Sequence, residues 1–92
     1  GAPTAPEWGL INRCVPDAEL SATALKLAEE LAAGPTKSLG LIRRMVWSSL
    51  DADWREQLLT ERNAQRAAGH TADFIEGVTA FAQKRPARFK GA

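Results

Sequence analysis

Residues 71–86 read TADFIEGVTAFAQKRP, and this run decides the fold. Thr71 can accept a backbone N–H and so cap the start of a helix. Phe74, Val78 and Phe81 follow at steps of four and three, the spacing of one helix face, with Ile75 and Ala82 beside them. Gly77 inside that helix costs about 1 kcal/mol relative to Ala. The expected reason for it is close approach of another backbone or a ligand. Pro86 stops the helix, and Arg88-Phe89-Lys90 form a short basic–aromatic tail.

The same helical grammar extends upstream. Asp17 follows Pro16 and can cap a first helix whose face carries Leu20, Ala24, Leu27 and Leu31. Gly34-Pro35 ends it, and Pro35 suits a new first turn because its missing N–H costs nothing there. The second helix places Leu39, Ile42, Val46 and Leu50 on one face. Leu41, Met45 and Trp47 broaden that stripe, so packing on two sides is expected. Asp51 or Asp53 caps a third helix running to about Ala68, with Trp54 and Leu58 on its early face and Leu59 beside them. Beyond Leu59 the helix turns polar, facing either solvent or a polar interface, and Gly69 is placed to end it. Only residues 9–15, bounded by Gly9 and Pro16, read as a strand. A single strand cannot form a sheet alone, so its partner would lie elsewhere. The expectation is a mainly α fold of about four helices after one short N-terminal strand. It divides into a flexible leader over 1–7, a strand remnant over 8–16 and a helical domain over 17–92.

Ninety-two residues bound this reading to one domain with a thin core. The composition, 45% apolar and 25% charged, is that of a folded chain, and no apolar run is long enough to span a bilayer. A single cysteine and a start without a signal-peptide pattern favour a reducing, cytoplasmic setting. The formal charge of +1 hides two acidic and two basic blocks. Lys37, Arg43 and Arg44 make 35–50 basic, and Lys84, Arg85, Arg88 and Lys90 make the C-terminus basic. The acidic blocks, 1–34 and 51–81, argue against a general nucleic-acid binder. The basic C-terminus reads either as a solvated tail or as a surface for a phosphate or an acidic partner.

Catalytic chemistry is hard to find in these residues. His70 lies in the turn Gly69-His70-Thr71, where solvation is the ordinary state, and Cys14 beside Val15 reads as a small buried apolar residue. No Cys or His spacing suits a metal, and no glycine loop cradles phosphate, since Gly34-Pro35-Thr36-Lys37-Ser38 lacks the paired glycines. Trp54 reads as core, whereas Trp8 and Trp47 suit a contact surface.

Four motifs in collinear order resemble the C-terminal third of the crotonase superfamily, over about residues 7–92. They are Trp8-Gly9-Leu10-Ile11-Asn12-Arg13-Cys14-Val15-Pro16; Ala32-Ala33-Gly34-Pro35-Thr36 with Leu39-Gly40-Leu41-Ile42-Arg43-Arg44; Asp73 through Pro86; and Phe89-Lys90-Gly91. More narrowly the chain is similar to bacterial enoyl-CoA hydratase/isomerase proteins of the phenylacetate-pathway isomerase type. Residues 1–6 depart from the family, which usually carries an Ala/Glu-rich helix there.

The resemblance implies an enzyme that acts on acyl-CoA thioesters by oxyanion-stabilised proton transfer, using two backbone N–H groups. It places those amides and the proton-moving carboxylates in an N-terminal spiral β/α core. These 92 residues correspond instead to the helical trimerisation region, so no catalytic residue and no metal ligand is assigned. The chain alone is expected to be inactive. The resemblance further implies assembly into trimers or hexamers, partial covering of the CoA site, and no cofactor beyond the CoA thioester as substrate. Neither a nucleic-acid partner nor a membrane is expected. By motif position Phe81 and Lys84 correspond to the family's contacts with the adenosine end of CoA. A phenyl face can pack on adenine and an ammonium can approach phosphate. Phe81 equally suits the core, and Lys84 a solvated helix end. The contrasting expectation is a stand-alone, non-catalytic helical module for assembly or binding.

Overall fold

The computed structural model describes all 92 residues, in two units spanning Gly1–Glu30 and Leu31–Ala92. Four α-helices follow one another: α1, Leu20–Ala32; α2, Thr36–Ser48; α3, Trp54–Gly69; and α4, Ala72–Ala82.

In the first unit, residues 9–15 do not form the expected strand; no strand occurs anywhere in the chain. Strands need a neighbour to receive their N–H and C=O groups, and this chain supplies none. The leader coils instead. Ala2–Thr4 form a 3-10 turn, and the N–H groups of Gly9 and Leu10 donate to the carbonyls of Pro6 and Ala5. Gly9 closes that coil at φ +71°, where a side chain would be strained. Asp17 does not cap α1 through its carboxylate. It opens a 3-10 turn, Asp17–Glu19, that leads into the helix behind Pro16.

In the second unit α2 packs on α3 and α3 on α4. Asp53, rather than Asp51, caps α3, its carboxylate accepting the Glu56 N–H at 2.9 Å. Gly69 is the last helical residue and adopts no left-handed turn. Two side chains end α3 instead: His70 Nδ1 lies 2.7 Å from the Arg66 carbonyl, and the Thr71 hydroxyl donates to the Ala68 carbonyl at 2.7 Å. The same hydroxyl accepts the Phe74 N–H at 3.1 Å, so Thr71 ends one helix and begins the next.

The faces that touch are not the largest apolar stripes. On α2 the half-buried residues toward α3 are Leu41 and Met45, which share a hollow with Thr60, Asn63 and Ala64. The stripe of Ile42, Val46 and Leu50 is exposed, as are Trp54 and Leu58 of α3. The second packing face expected of α2 is therefore open in this chain. Trp54 is likewise a surface residue, not core. On α3 the covered positions are Gln57, Thr60, Ala64 and Ala68, short or polar groups that let helices approach closely. Ala64 and Ala80 are the only buried apolar residues, and no large side chain is fully buried.

Candidate functional site

α4 divides its residues between two faces. Asp73, Glu76, Gly77 and Ala80 recur at helical spacing and receive the chain's last residues. Phe74, Val78 and Phe81 form the other face, which is exposed. The expectation that Phe81 could serve as core does not hold within this chain, where it is 87% exposed.

Helix α4 ends at a double hydrogen bond. The Lys84 N–H donates to the Phe81 carbonyl at 3.1 Å and the Arg85 N–H to the Ala80 carbonyl at 3.0 Å. This closure needs a left-handed residue between them, usually Gly. Here Lys84 takes that conformation, with φ 52°, and is the only non-glycine residue to do so. A β-carbon makes this costly, and such residues concentrate at functional positions. Lys84, not Pro86, makes the stop.

Beyond Lys84 the tail runs extended along α4. Arg85, Ala87, Phe89 and Gly91 are half-buried and the residues between them exposed, the alternation of an extended chain lying on a surface. Arg85 pairs fork-to-fork with Glu76: Nη1 to Oε1 at 2.7 Å and Nη2 to Oε2 at 2.9 Å. The Arg88 N–H adds a third bond to Glu76 Oε1 at 2.8 Å. The Arg85 hydrogen bond first, and the Arg88 amide second, pull the Glu76 carboxyl down to about 2. Asp73 is 4% exposed and accepts the Lys90 N–H on Oδ1 at 2.7 Å and the Gly91 N–H on Oδ2 at 2.8 Å. Its own N–H donates to the Ala92 carbonyl at 3.0 Å. Phe89 lies 3.6 Å from where a Gly77 β-carbon would sit, so a side chain of the tail is what approaches Gly77. Gly91, at φ +74°, leaves room for Thr36 at the start of α2: a β-carbon there would stand 3.2 Å from the Thr36 hydroxyl.

The tail, α4 and the first turn of α2 enclose a groove of about 370 Å³. Phe74, Val78 and Phe81 line one side, Phe89 with Gly77 another, and Pro35 and Ser38 of α2 complete it. Phe81 thus lines the groove; Lys84 does not, but stands three residues beyond it at the helix end. Three exposed lysines border these elements: Lys37 beside Ser38, Lys84, and Lys90 beside Phe89. None has a carboxylate partner, the one ion pair being Arg85–Glu76. Sequence reasoning gave no individual site role to Lys37, Phe89 or the carboxylates of Asp73 and Glu76. The alternation Arg85, Ala87, Phe89, Gly91 was the available signal. Elsewhere, no three His, Cys, Asp or Glu side chains gather in a metal-holding group, and His70 is spent on helix termination. Cys14, expected to be buried, is exposed, because residues 9–15 form no strand that could cover it.

These residues build an aromatic groove on an exposed face of α4, bordered by lysines without carboxylate partners. The profile of the enoyl-CoA hydratase/isomerase family matches residues 1–92. The chain belongs to that family. It is 46% identical over 90 residues to 1,2-epoxyphenylacetyl-CoA isomerase of Escherichia coli strain K12, covering 98% of this chain and 34% of that protein. Identity to a probable enoyl-CoA hydratase of Rhodobacter capsulatus is 36% over 91 residues, covering 99% of this chain and 35% of that protein. The fold superposes on an enoyl-CoA hydratase subunit I of Geobacillus kaustophilus HTA426 with TM-score 0.94 and 33% identity, over 100% of this chain and 36% of the other. An enoyl-CoA hydratase of Bacillus anthracis matches with TM-score 0.86 and 31% identity, over 99% of this chain and 35% of the other. The chain thus spans about a third of the length of the curated relatives it matches. No helix is long and apolar enough to cross a membrane.

Proposed function

We propose that this chain is the oligomerising and CoA-covering part of an enoyl-CoA hydratase/isomerase that acts on acyl-CoA thioesters by oxyanion-stabilised proton transfer. The oxyanion-binding amides and proton-moving groups belong to residues outside these 92, so the segment by itself does not turn over substrate. No cofactor beyond the CoA thioester is invoked. The exposed free thiol of Cys14 suits a reducing cytoplasm.

One observation carries the reading: the segment buries alanines and leaves its large apolar side chains open. Ile42, Val46, Trp47, Leu50, Trp54 and Leu58 are exposed on α2 and α3. So many large apolar side chains left exposed mark an interface, and a trimer or hexamer with the rest of the enzyme covers them. On α4 the exposed Phe81 offers a flat face to adenine, and unpaired Lys84, with Lys37 and Lys90 near the groove, offers charge to the CoA phosphates.

Calorimetric titration of the full-length protein with CoA tests the site. Phe81→Ala and Lys84→Ala are each expected to weaken binding about tenfold, with folding unchanged. Unaltered affinity in both refutes the site. Sedimentation of Trp47→Glu tests the interface: the oligomer should dissociate, and an intact one would refute that role for α2. Hydration of a 2-enoyl-CoA should be measurable with the full-length enzyme and absent with the 92-residue chain.

A further inference from the structure

Residues 85–91 form a strap along α4, and the reading above gives that strap no role. Asp73 and Glu76, one turn apart on α4, take up the amides of Arg88, Lys90 and Gly91 and the Arg85 guanidinium. Charge-assisted bonds to carboxylates are the strong kind. Apolar packing of α4 within the chain is thin by comparison. Its only buried residues are Asp73 and Ala80, on the face that receives the strap, while Phe74, Ile75, Val78 and Phe81 are exposed. A helix ordinarily keeps its place by burying an apolar stripe. In this chain α4 buries a carboxylate and an alanine instead. The far end of the strap reaches a second helix: Gly91 lies against Thr36 in the first turn of α2, at φ +74°, so closely that a β-carbon would stand 3.2 Å from the hydroxyl. Helices α2 and α4 each pack on α3, and the groove lies between them. The strap touches both.

We infer that residues 85–91 are a latch that fixes α4 relative to α2. The two carboxylates anchor the strap on α4, Gly91 seats it on α2, and the latch sets how the exposed Phe74–Val78–Phe81 face is presented. Only His70 and Thr71 connect α3 to α4. With so little buried on it, a helix after so short a turn resists pivoting weakly through packing alone. Hydrogen bonds supply that resistance because they depend steeply on distance and angle, whereas apolar contacts tolerate sliding. Lysine at 84 fits the same scheme, because a left-handed residue there turns the chain from helix into strap. The latch does not depend on which ligand, if any, the groove accepts.

Distances between spin labels in the full-length protein test this. One label pair joins α2 to α4, at Arg43→Cys and Ala82→Cys. A control pair joins α2 to α3, at Arg43→Cys and Arg62→Cys. All three positions are exposed. Other cysteines are replaced by serine, and labelled chains are diluted with unlabelled ones so that only distances within one protomer are read. Ending the chain after Arg85, which keeps the closure of α4, should broaden the α2–α4 distribution roughly twofold and leave the α2–α3 distribution as it was, because a contact-poor element is the first to move. Asp73→Asn combined with Glu76→Gln removes no residue and should act in the same direction. If neither variant broadens the α2–α4 distribution more than the α2–α3 one, the latch is overturned. CoA takes no part in the readout, so a failure of the CoA reading leaves this result standing.

Discussion

Replacing Asp73 by Asn should release the end of the chain without unfolding the helices. Each carboxylate oxygen accepts one tail amide, Lys90 N–H at 2.7 Å and Gly91 N–H at 2.8 Å, and the residue is almost wholly buried. Asparagine keeps one acceptor oxygen and points an NH2 donor at the other amide. One charge-assisted bond is lost, worth about 1.5–3 kcal/mol, and a donor is left facing a donor. The strap can relieve that conflict by lifting into water, which limits the loss to about 2 kcal/mol. At 1.36 kcal/mol per factor of ten, strap opening becomes about thirtyfold more frequent. Amide exchange read residue by residue is the assay. Protection at Lys90 and Gly91 should fall by about that factor, while amides in the middle of α2 and α3 keep their rates. Undiminished protection at Lys90 and Gly91 would refute the latch. An equal fall throughout α2 and α3 would show that the strap is inseparable from the bundle.

Acid should loosen the other anchor. The Glu76 carboxyl lies at about 2 in the fold against 4.5 when free, so its contribution is complete above pH 4.5 and is lost as the pH falls from there through 2. Protection of the Arg88 amide relative to an unfolded peptide at the same pH should fall over that window, and in Glu76→Gln that fall should be absent. Lys84→Gly removes a β-carbon from a residue at φ 52° and should raise stability by about 1 kcal/mol in urea unfolding, even as CoA affinity falls. Gly77→Ala should also stabilise, by up to about 1 kcal/mol, because its β-carbon would meet Phe89 at an ordinary 3.6 Å. Gly77→Leu has no such room and should expel Phe89, read as a loss of ring packing shifts in NMR spectra.

The helices were legible because their signals are local. Thr71 caps α4 through a bond to an amide three residues on, as its place before the Phe74–Val78–Phe81 period implies. The site was half legible. Phe81 and Lys84 entered through motif resemblance, and the groove includes the first of them. The strap was missed because Asp73 and Gly91 meet across eighteen positions. A basic tail reads as solvated until its acidic partners are known to share a helix face.

By itself, then, the amino-acid order determined where helices start, how they are spaced, and to which family they belong, since caps, periods and motifs act within a few residues. It also suggested a strand over residues 9–15, but strands are completed by distant partners, and these residues have none within the chain. Only the tertiary structure decided which stripe of each helix is covered. Leu41, Met45 and small residues of α3 meet, while Ile42, Val46 and Trp54 stay open. Apolar periodicity marks a face for burial without naming its partner, and burial belongs to pairs of surfaces. The tertiary structure alone likewise decided that three charged tail residues, Arg85, Arg88 and Lys90, fold back along α4, with Arg85 answering Glu76, because complementarity between remote groups exists only once the chain brings them together.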